Sequence, residues 1–332
     1  MQIMNRLPLG VVIPTRNSMK YLPAHVESLA AWLDLAEQVV VVDSSSQDGS
    51  EAFLKEKLQH PNLHFLQHPP GLYASLNHGI RQLNTEFCYL ATVGDSLTRE
   101  GVVQMMSSAR SLQCDVLVGT PDFINEAGLP CDGPEWPVAE IANRLQLKQP
   151  GCLPAPIVMA TALLYLGEAL TGSCASDLFR TTVLQRFPFP VTSGKSGDGA
   201  WGLQNAGRVR WAATMARVST FRFHPPASTA RELQDGANIY EYARTVTEMV
   251  EEWRAGCPAG FPDSIKADIQ TMLTLSIEYE KCRGQHNRDR RSRWPWSLNP
   301  SAWAVRSRRN SIKQQMEAVR SRIFSDAWLP PG

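Results

Sequence analysis

The chain has 332 residues, of which 43% are hydrophobic and 20% charged, and its formal net charge is +1. This length allows one large α/β domain with an appendage, and the composition excludes a mainly disordered protein. The seven cysteines are scattered, odd in number and never form a Cys-x-x-Cys pair, which argues against a disulfide framework and a thiolate metal site.

The first 120 residues alternate strand-like and helix-like segments, a pattern typical of βαβ units around a mostly parallel sheet. Short apolar runs predict buried strands at residues 9–13, 39–42, 64–66, 87–93 and 116–118. Helical spacing of apolar residues predicts helices at 19–33, at 51–58, from 72 to 83 and around 102–109. The apolar face of the third helix is expected to consist of Leu72, Leu76, Ile80 and Leu83.

Residues 120–170 are rich in proline and glycine, and their periodicity is too poor to assign any element. The longest apolar stretch, 156–166, is about half of what a bilayer requires, so it predicts a buried core element. Because no signal peptide is apparent either, we expect a cytoplasmic protein.

The C-terminal region is predicted to be helical. Apolar residues are spaced as on a helix between 239 and 253 and again between 265 and 273, and a third helix is expected to begin at Asn299-Pro300. The apolar stripe of this third helix is Ile312, Met316, Val319 and Ile323. We therefore expect one domain over residues 1–232 and a helical region over 233–332.

Polar residues follow three of the predicted strands. Pro14-Thr-Arg-Asn follows the first strand, Asp43 the second, and Gly94-Asp95 the strand predicted at 87–93. The carboxyl ends of parallel strands meet at one edge of a sheet, and open α/β sheets bind their ligands there. We therefore expect these residues to form one site.

Four sequence blocks follow one another between residue 10 and about residue 105. They are Val11-Val-Ile-Pro-Thr-Arg-Asn, Val39-Val-Val-Val-Asp-Ser-Ser-Ser-Gln-Asp-Gly-Ser, Gly71-Leu-Tyr-Ala-Ser-Leu-Asn-His-Gly-Ile and Tyr89-Leu-Ala-Thr-Val-Gly-Asp-Ser-Leu. In this order they resemble the blocks of family 2 glycosyltransferases. The resemblance implies a GT-A fold, a Rossmann-like and mostly parallel sheet flanked by helices, here with an α-helical C-terminal extension. It also implies inverting transfer from a nucleotide-sugar donor.

The resemblance continues to about residue 230. The segment that begins at Thr171-Gly-Ser-Cys is similar to the one preceding the family's acceptor-side acid, and Gly197-Asp198 stands at its Glu-Asp pair. Arg222-Phe-His224 resembles an Arg-x-His segment that supplies a metal ligand in the family. The resemblance thus implies a nucleotide-sugar half over about 9–120 and an acceptor half over about 121–232.

The resemblance also implies a role for each site residue. It assigns the general base to Asp198 and the metal ligands to Asp95 and His224. It assigns nucleotide-sugar binding to Pro14, Thr15, Arg16, Asn17, Asp43, Asn77 and Gly94.

The chemistry of sugar transfer agrees with these roles. Cleavage of a nucleotide-sugar leaves negative charge on a diphosphate, and a hard divalent cation held by carboxylate oxygens stabilises it. We expect Mn²⁺ or Mg²⁺, with Mn²⁺ better suited to the imidazole of His224. Asp43 can accept a hydrogen bond from the base or ribose, Thr15 can contact the base edge, and the acceptor hydroxyl needs a base such as Asp198.

Each residue also has a structural alternative. Asp43 and Asp95 can cap the helices that follow them, and Asn77 can cap or pack its own helix. Turn chemistry alone can explain Asp198, and His224 can be an ordinary surface histidine.

The sequence departs from the family at three places. Ser44–Ser46 replace a more acidic or glycine-containing stretch. Gly94 stands where the family often has a first metal-binding acid, and Gly197 replaces a glutamate. The chain also lacks the Gln-x-x-Arg-Trp of processive synthases, so we expect addition of a single sugar to a saccharide or lipid-linked acceptor.

Two other functions compete with this interpretation. A sugar nucleotidyltransferase would need a glycine-rich phosphate loop after the first strand, and Pro14-Thr-Arg-Asn has no glycine. A catalytically degenerate nucleotide-sugar-binding or scaffold protein stays open because of Gly94 and Gly197.

The charge is concentrated near the C-terminus. Residues 283–323 contain eleven Lys or Arg and two Asp or Glu, so this basic segment follows an acidic body. We expect it to contact the inner face of a membrane peripherally, with Trp294, Trp296 and Trp303 among its arginines, or to support a homo-oligomer. A nucleic-acid partner is not expected, and a solvated helix face is the simpler alternative.

Overall fold

Strands and helices alternate along the chain, as the sequence predicts. The computed structural model describes residues 6–165, 170–172, 174–192, 197–223, 261–290 and 300–327. The strands are β1 (Leu7–Thr15), β2 (Ala36–Asp43), β3 (Leu63–Gln67), β4 (Phe87–Leu90), β5 (Ser96–Leu97), β6 (Val116–Val118), β7 (Asp122–Ile124), β8 (Gly151–Leu153), β9 (Asp177–Arg180), β10 (Trp211–Ala213) and β11 (Ser219–Arg222). The helices are α1 (Leu22–Ala30), α2 (Ser50–Lys57), α3 (Leu72–Ile80), α4 (Arg99–Ser111), α5 (Pro137–Arg144), α6 (Ala155–Leu164), α7 (Thr181–Arg186), α8 (Gly197–Asn205), α9 (Asp263–Arg290) and α10 (Pro300–Ala327).

Eight strands form the main sheet in the order β3-β2-β1-β4-β9-β6-β10-β8. Pairs among β3, β2, β1 and β4 are parallel, as is the pair of β6 with β10. Strand β9 runs antiparallel to β4 and β6, and β8 runs antiparallel to β10. A small second sheet has the order β5-β11-β7. This is the mostly parallel sheet flanked by helices that the sequence predicts.

The valine run of β2 shows why this sheet forms. Val40 and Val42 pack into the layer that contains α3, α6, α9 and α10, whereas Val39 and Val41 pack into the layer that contains α1 and α4. All four side chains are fully buried. A strand covered on both faces has no polar side to alternate with, so its sequence is a continuous apolar run.

Two sequence predictions were wrong in detail. Strand β4 ends at Leu90, because the chain turns at Thr92–Asp95 before the short strand β5. The segment 120–170, to which no element was assigned, contains β7, α5, β8 and α6. Helix α6 has no apolar stripe because residues 156–164 are all buried, and a helix buried all round has no periodicity. The predicted core element is confirmed over residues 156–164.

The two C-terminal helices that the structure describes pack along each other and against α6. Their predicted apolar positions are buried, namely Ile265, Ile269, Met272, Leu273, Ile312, Met316, Val319 and Ile323. The helical C-terminal extension is therefore confirmed over these residues. The helix predicted between 239 and 253, and the domain boundary at 232, lie outside the described residues.

The basic segment is thus partly a structural helix, because its apolar stripe covers the body of the protein. Trp303 is 57% exposed, whereas Trp294 and Trp296 lie outside the described residues. None of the described helices is both long and apolar enough to cross a bilayer. The membrane-surface contact and the homo-oligomer stay predictions.

One buried ion pair joins α10 to the body. The guanidinium of Arg320 is fully buried, and it donates to Glu140 Oε1 on α5 at 2.7 Å and to Glu317 Oε2 at 2.9 Å. It also lies over the rings of Tyr165 and Phe324. A buried charge is costly without its partners, so this contact depends on all three groups together.

We expect Arg320→Ala to lower the free energy of unfolding by about 3 kcal/mol, because it leaves the carboxylate of Glu140 without its main partner in a half-buried position. Chemical denaturation of the full chain measures this. Arg322→Ala is the matched control, since Arg322 is exposed and pairs with Asp268 on the surface. It should change stability by at most about 1 kcal/mol. Equal effects of the two substitutions would contradict the role of Arg320.

Candidate functional site

The carboxyl ends of β1 and β2 bring Thr15 and Asp43 side by side, since these two residues are paired in the parallel register. Both side chains are buried. Asp43 accepts a hydrogen bond from the Ser46 N–H at its Oδ2, but its Oδ1 and the Thr15 hydroxyl have no partner among the described residues. Buried polar atoms of this kind cost free energy unless a ligand or water satisfies them.

The loop after β1 is tied to the loop after β2. Asn17 has a backbone conformation in the left-handed region, with φ of 47°. Its side-chain Oδ1 accepts a hydrogen bond from the Gln47 N–H at 2.8 Å, and its backbone N–H donates to Ser46 Oγ. Pro14 is paired with Val42 inside the sheet, and Arg16 is exposed at the tip. The first two predicted blocks therefore form one surface.

Helix capping does not explain Asp43 or Asp95. Helix α2 is preceded by Asp48, whose Oδ1 accepts from the Ser50 N–H at 3.1 Å, and α4 is capped by Thr98, which accepts from the Gly101 N–H at 3.0 Å. Since other residues supply these contacts, the capping alternative for Asp43 and Asp95 is wrong.

Asp95 lies in a tight turn that follows β4. Gly94 has a φ of 107°, which side-chain-bearing residues rarely adopt. The buried Asp95 accepts from the backbone N–H of Arg222 at 3.0 Å, and its own carbonyl lies 3.1 Å from His25 Nδ1. Burial lowers the pKa of His25 to about 4, so the ring is neutral and donates from Nδ1. The position of Asp95 is therefore fixed from two sides.

Three carboxyl groups converge near Cys174. Burial raises the pKa of this thiol, and the negative charges of Asp177, Asp198 and Asp95 raise it further. These interactions bring the end of β4, the start of β9 and the first turn of α8 into one neighbourhood. The structure thus unites Asp95 and Asp198, which are more than 100 residues apart in sequence.

Asp177 is a member of this cluster that sequence reasoning missed. It is fully buried, and neither of its oxygens has a hydrogen-bond partner of ordinary geometry among the described residues. Burial raises its pKa well above the usual range, the charge of Asp198 adds to this, and only the Thr171 hydroxyl acts the other way. No sequence signal marked it, because an aspartate at the start of a strand is ordinary.

Asp198 keeps part of its side chain exposed at the N-terminal turn of α8. Its Oδ1 accepts the Gly199 N–H at 2.7 Å, and the hydroxyl of Tyr73 donates a second hydrogen bond to the carboxylate. Burial raises the pKa of Asp198, and these two hydrogen bonds lower it. Burial is the larger effect, so the pKa of Asp198 is raised overall, which suits a group that takes up a proton.

Asn77 has a structural role instead of the predicted contact with the donor. Its Nδ2 donates to the Phe189 carbonyl at 2.8 Å, and its Oδ1 accepts from the Phe189 N–H at 3.0 Å. The buried amide is used on both sides, so it holds α3 against the segment before α8. The alternative that Asn77 packs its helix is the better one.

The face of α3 also differs from the prediction. Leu72 is 45% exposed, whereas Tyr73 is buried together with Leu76 and Ile80. The spacing from Tyr73 is as helical as the spacing from Leu72, so the pattern alone did not distinguish them. This shift is what turns Tyr73 towards Asp198.

The described residues support at most a small protein contribution to a metal site. No group of three or more His, Cys, Asp or Glu side chains with metal-binding geometry occurs among them, and His224 lies outside them. The Asp95 carboxylate is a hard oxygen donor, and Mg²⁺-type sites in nucleotide enzymes use one or two carboxylates with substrate phosphates. The residues present fit a cation of this kind.

Comparison with known proteins identifies residues 10–170 as a match to the family described as Glycosyl transferase family 2. No curated protein matches the chain. Among solved structures, residues 1–349 of S. aureus TarS in complex with UDP match with 16% identity and a TM-score of 0.57, over 95% of this chain and 91% of that one.

The same S. aureus TarS fragment in complex with UDP-GlcNAc matches with 13% identity and a TM-score of 0.59, over 97% of this chain and 93% of that one. A longer TarS structure matches 93% of this chain but 55% of its own length, with 15% identity and a TM-score of 0.56. At these identities the matches establish a shared fold. The predicted GT-A-like architecture is therefore confirmed.

Substitution Asn77→Ala tests the structural role of this residue. It leaves the buried N–H and carbonyl of Phe189 without partners, so we expect a loss of stability on the order of 2 kcal/mol. Asn62→Ala is the control, because Asn62 also makes two side-chain hydrogen bonds but is exposed, and it should change stability by less than about 0.5 kcal/mol. Denaturant titration compares them, and an unchanged stability of Asn77→Ala would contradict this assignment.

Proposed function

We propose that this chain is a family 2 glycosyltransferase that uses a nucleotide-sugar donor and adds a single sugar to a saccharide or lipid-linked acceptor with inversion. The match of residues 10–170 to the family supports this proposal. The observation that carries the donor site is a pair of buried atoms, Asp43 Oδ1 and Thr15 Oγ1, at the carboxyl edge of the sheet, which have no partner in the part of the chain that the structure describes. Ligands bind at this edge in open α/β folds.

In the proposed donor complex the nucleobase of the nucleotide-sugar lies against β1 and β2. An N–H of the nucleobase or a ribose hydroxyl donates a hydrogen bond to Asp43, and Thr15 contacts the edge of the nucleobase. Pro14 lies at the strand end beneath it, and Arg16 and Asn17 in the loop that follows lie beside it, with the exposed Arg16 available to the phosphates. Because the matched TarS structures were solved with UDP and UDP-GlcNAc, a uridine diphosphate sugar is the first donor to test.

The diphosphate lies towards Gly94 and Asp95 in this proposal. The absence of a side chain at Gly94 leaves room for the ligand, and Asp95 together with His224 would hold Mn²⁺ or Mg²⁺. Such a cation supplies electrostatic stabilisation of the charge that develops on the leaving diphosphate. The backbone N–H of Arg222 holds the Asp95 carboxylate in position.

Asp198 is the proposed general base. The acceptor oxygen attacks the anomeric carbon from the side opposite the diphosphate, forming the new glycosidic bond while the bond to the phosphate oxygen breaks. The acceptor hydroxyl gives its proton to the Asp198 carboxylate, which is partly exposed and can reach it. Attack from the opposite side inverts the anomeric configuration.

The alternative of a degenerate scaffold rested on Gly94 and Gly197. A side chain at Gly197 would overlap the ring of Tyr73, so packing against this ring explains why residue 197 is a glycine. A glycine explained by its neighbour favours a modified catalytic site over a lost one. Release of UDP from UDP-GlcNAc with Mn²⁺, which an inert scaffold would not catalyse, distinguishes the two functions.

Donor binding should depend on the cation and on Asp95. We expect UDP to bind the wild type at least about tenfold more tightly with Mn²⁺ than with EDTA, and Asp95→Ala to remove this difference, because the carboxylate anchors the cation beside the phosphates. Calorimetry measures both affinities. Asp122→Ala, an exposed acid on β7 that pairs with Arg217, is the control and should behave as wild type. Equal UDP affinity in all conditions would exclude the metal role.

Asp198→Asn should bind UDP as tightly as the wild type but release UDP from UDP-GlcNAc about 10²–10⁴-fold more slowly. The carboxamide keeps the shape of the side chain but cannot accept a proton at neutral pH. Water replaces the acceptor in this assay, which removes the need to know the acceptor. A rate within about threefold of wild type, far outside that range, would mean that another group is the base.

A further inference from the structure

We propose that Tyr73 is a positioning residue for the acceptor-side base: its hydroxyl, carried on a ring packed against Gly197, holds the Asp198 carboxylate in one orientation. This inference rests on the proposed role of Asp198.

The ring of Tyr73 is held firmly. It lies in the first turn of α3, is 5% exposed, and packs against the ring of Phe189 at a centroid distance of 5.5 Å. Phe189 is itself fixed by the two hydrogen bonds to Asn77, one turn further along the same helix. The hydroxyl therefore reaches Asp198 from a rigid support.

Gly197 is part of the same arrangement. A Cβ at this position would come within 2.7 Å of the Cε2 and Cγ atoms of Tyr73, and closer still to Cδ2. Real Cβ atoms do not approach carbon this closely, so the ring occupies the space of a side chain at 197. The residue before the base is glycine because the tyrosine ring lies against the helix start.

Two donors hold the carboxylate. The Gly199 N–H donates to Asp198 Oδ1 at 2.7 Å, and the Tyr73 hydroxyl donates to the carboxylate from α3. A carboxylate has about four acceptor positions on two oxygens, so capacity remains for an acceptor hydroxyl. Two fixed donors from different elements restrict rotation of the side chain and aim that remaining capacity.

The electrostatic surroundings make the tyrosine hydrogen bond important. Among the described residues, the titratable groups that face Asp198 are Tyr73 from α3, Cys174 from the turn before β9, and Asp177 from β9. Burial raises the pKa of Asp198, and the hydrogen bond from Tyr73 is the largest of the effects that lower it. Burial raises the pKa of Tyr73 as well, so its hydroxyl stays protonated and remains a donor.

Loss of the Tyr73 hydroxyl should raise the pKa of Asp198, because a hydrogen bond to the charged form of a carboxyl group stabilises that form. Without the Tyr73 hydroxyl the pKa of Asp198 is higher, and the ionised base is present only at higher pH. The acid limb of the pH profile for kcat/KM should move upward, while the chemistry at high pH should be affected less.

The test uses the full chain with Tyr73→Phe, which keeps the ring and removes the hydroxyl. We measure kcat/KM for release of UDP from UDP-GlcNAc with Mn²⁺ as a function of pH. On the acid limb, kcat/KM of the variant should be roughly tenfold lower than that of the wild type, as expected for loss of a hydrogen bond to a charged group. At high pH kcat/KM should approach the wild-type value, and UDP affinity should be unchanged. Tyr165→Phe, which removes another tyrosine hydroxyl that bonds a carboxylate, that of Glu140, is the matched control and should leave the profile unchanged.

A second measurement does not depend on activity. The carboxyl carbon-13 signal of Asp198, identified by its loss in Asp198→Asn, is titrated in wild type, Tyr73→Phe and Gly197→Ala. Its midpoint should rise in both variants, because the alanine Cβ displaces the ring. A midpoint that does not move in Tyr73→Phe overturns the proposal. If the wild type releases no UDP, the proposed function fails, and this titration still decides whether Tyr73 controls Asp198.

Discussion

Complete burial of the central strands is the constraint on which the rest of this molecule depends. Because the middle of β1 and of β2 is covered on both faces, polar side chains lie only towards the ends of these strands, as Glu37 and Gln38 do at the start of β2. Thr15 and Asp43 are the first polar side chains after the apolar runs, and the parallel register puts them side by side. The apolar core thus determines where the polar surface of the site can form.

The same burial sets the chemistry of the acids. Desolvation raises the pKa values of Asp177 and Asp198, and the two carboxyls then differ in what offsets it. Asp198 accepts from the Gly199 N–H at 2.7 Å and from the Tyr73 hydroxyl, whereas neither oxygen of Asp177 has a hydrogen-bond partner of ordinary geometry among the described residues. Environments that give two neighbouring carboxyl groups different pKa values are typical of sites that move protons. Asp198 is the member of the pair that can lose its proton and still reach the surface.

The glycines that depart from the family pattern have separate causes. Gly94 is required by its backbone, since its φ of 107° strains other residues. Gly197 is required by packing, because the ring of Tyr73 fills the space that a side chain would take. A departure from a family motif is therefore not evidence of lost activity until the neighbours of the changed position are known.

The sequence by itself determined five strands of the main sheet, β1, β2, β3, β4 and β6, and the polar residues that follow β1 and β2, because apolar periods and strand-end residues are local features. It did not indicate β8, β9 and β10, which are only three or four residues long. It also predicted the C-terminal helices at 265–273 and from Pro300, whose apolar stripes are one-sided. Helix α6 escaped prediction because a helix buried all round has no period. Only the tertiary structure decided that Tyr73 contacts Asp198, that Asn77 binds Phe189, and that Asp177 joins the acid cluster. These contacts link residues 112 or more positions apart, or elements such as β9 and α8 whose facing surfaces are set by packing, and no local pattern encodes such a meeting.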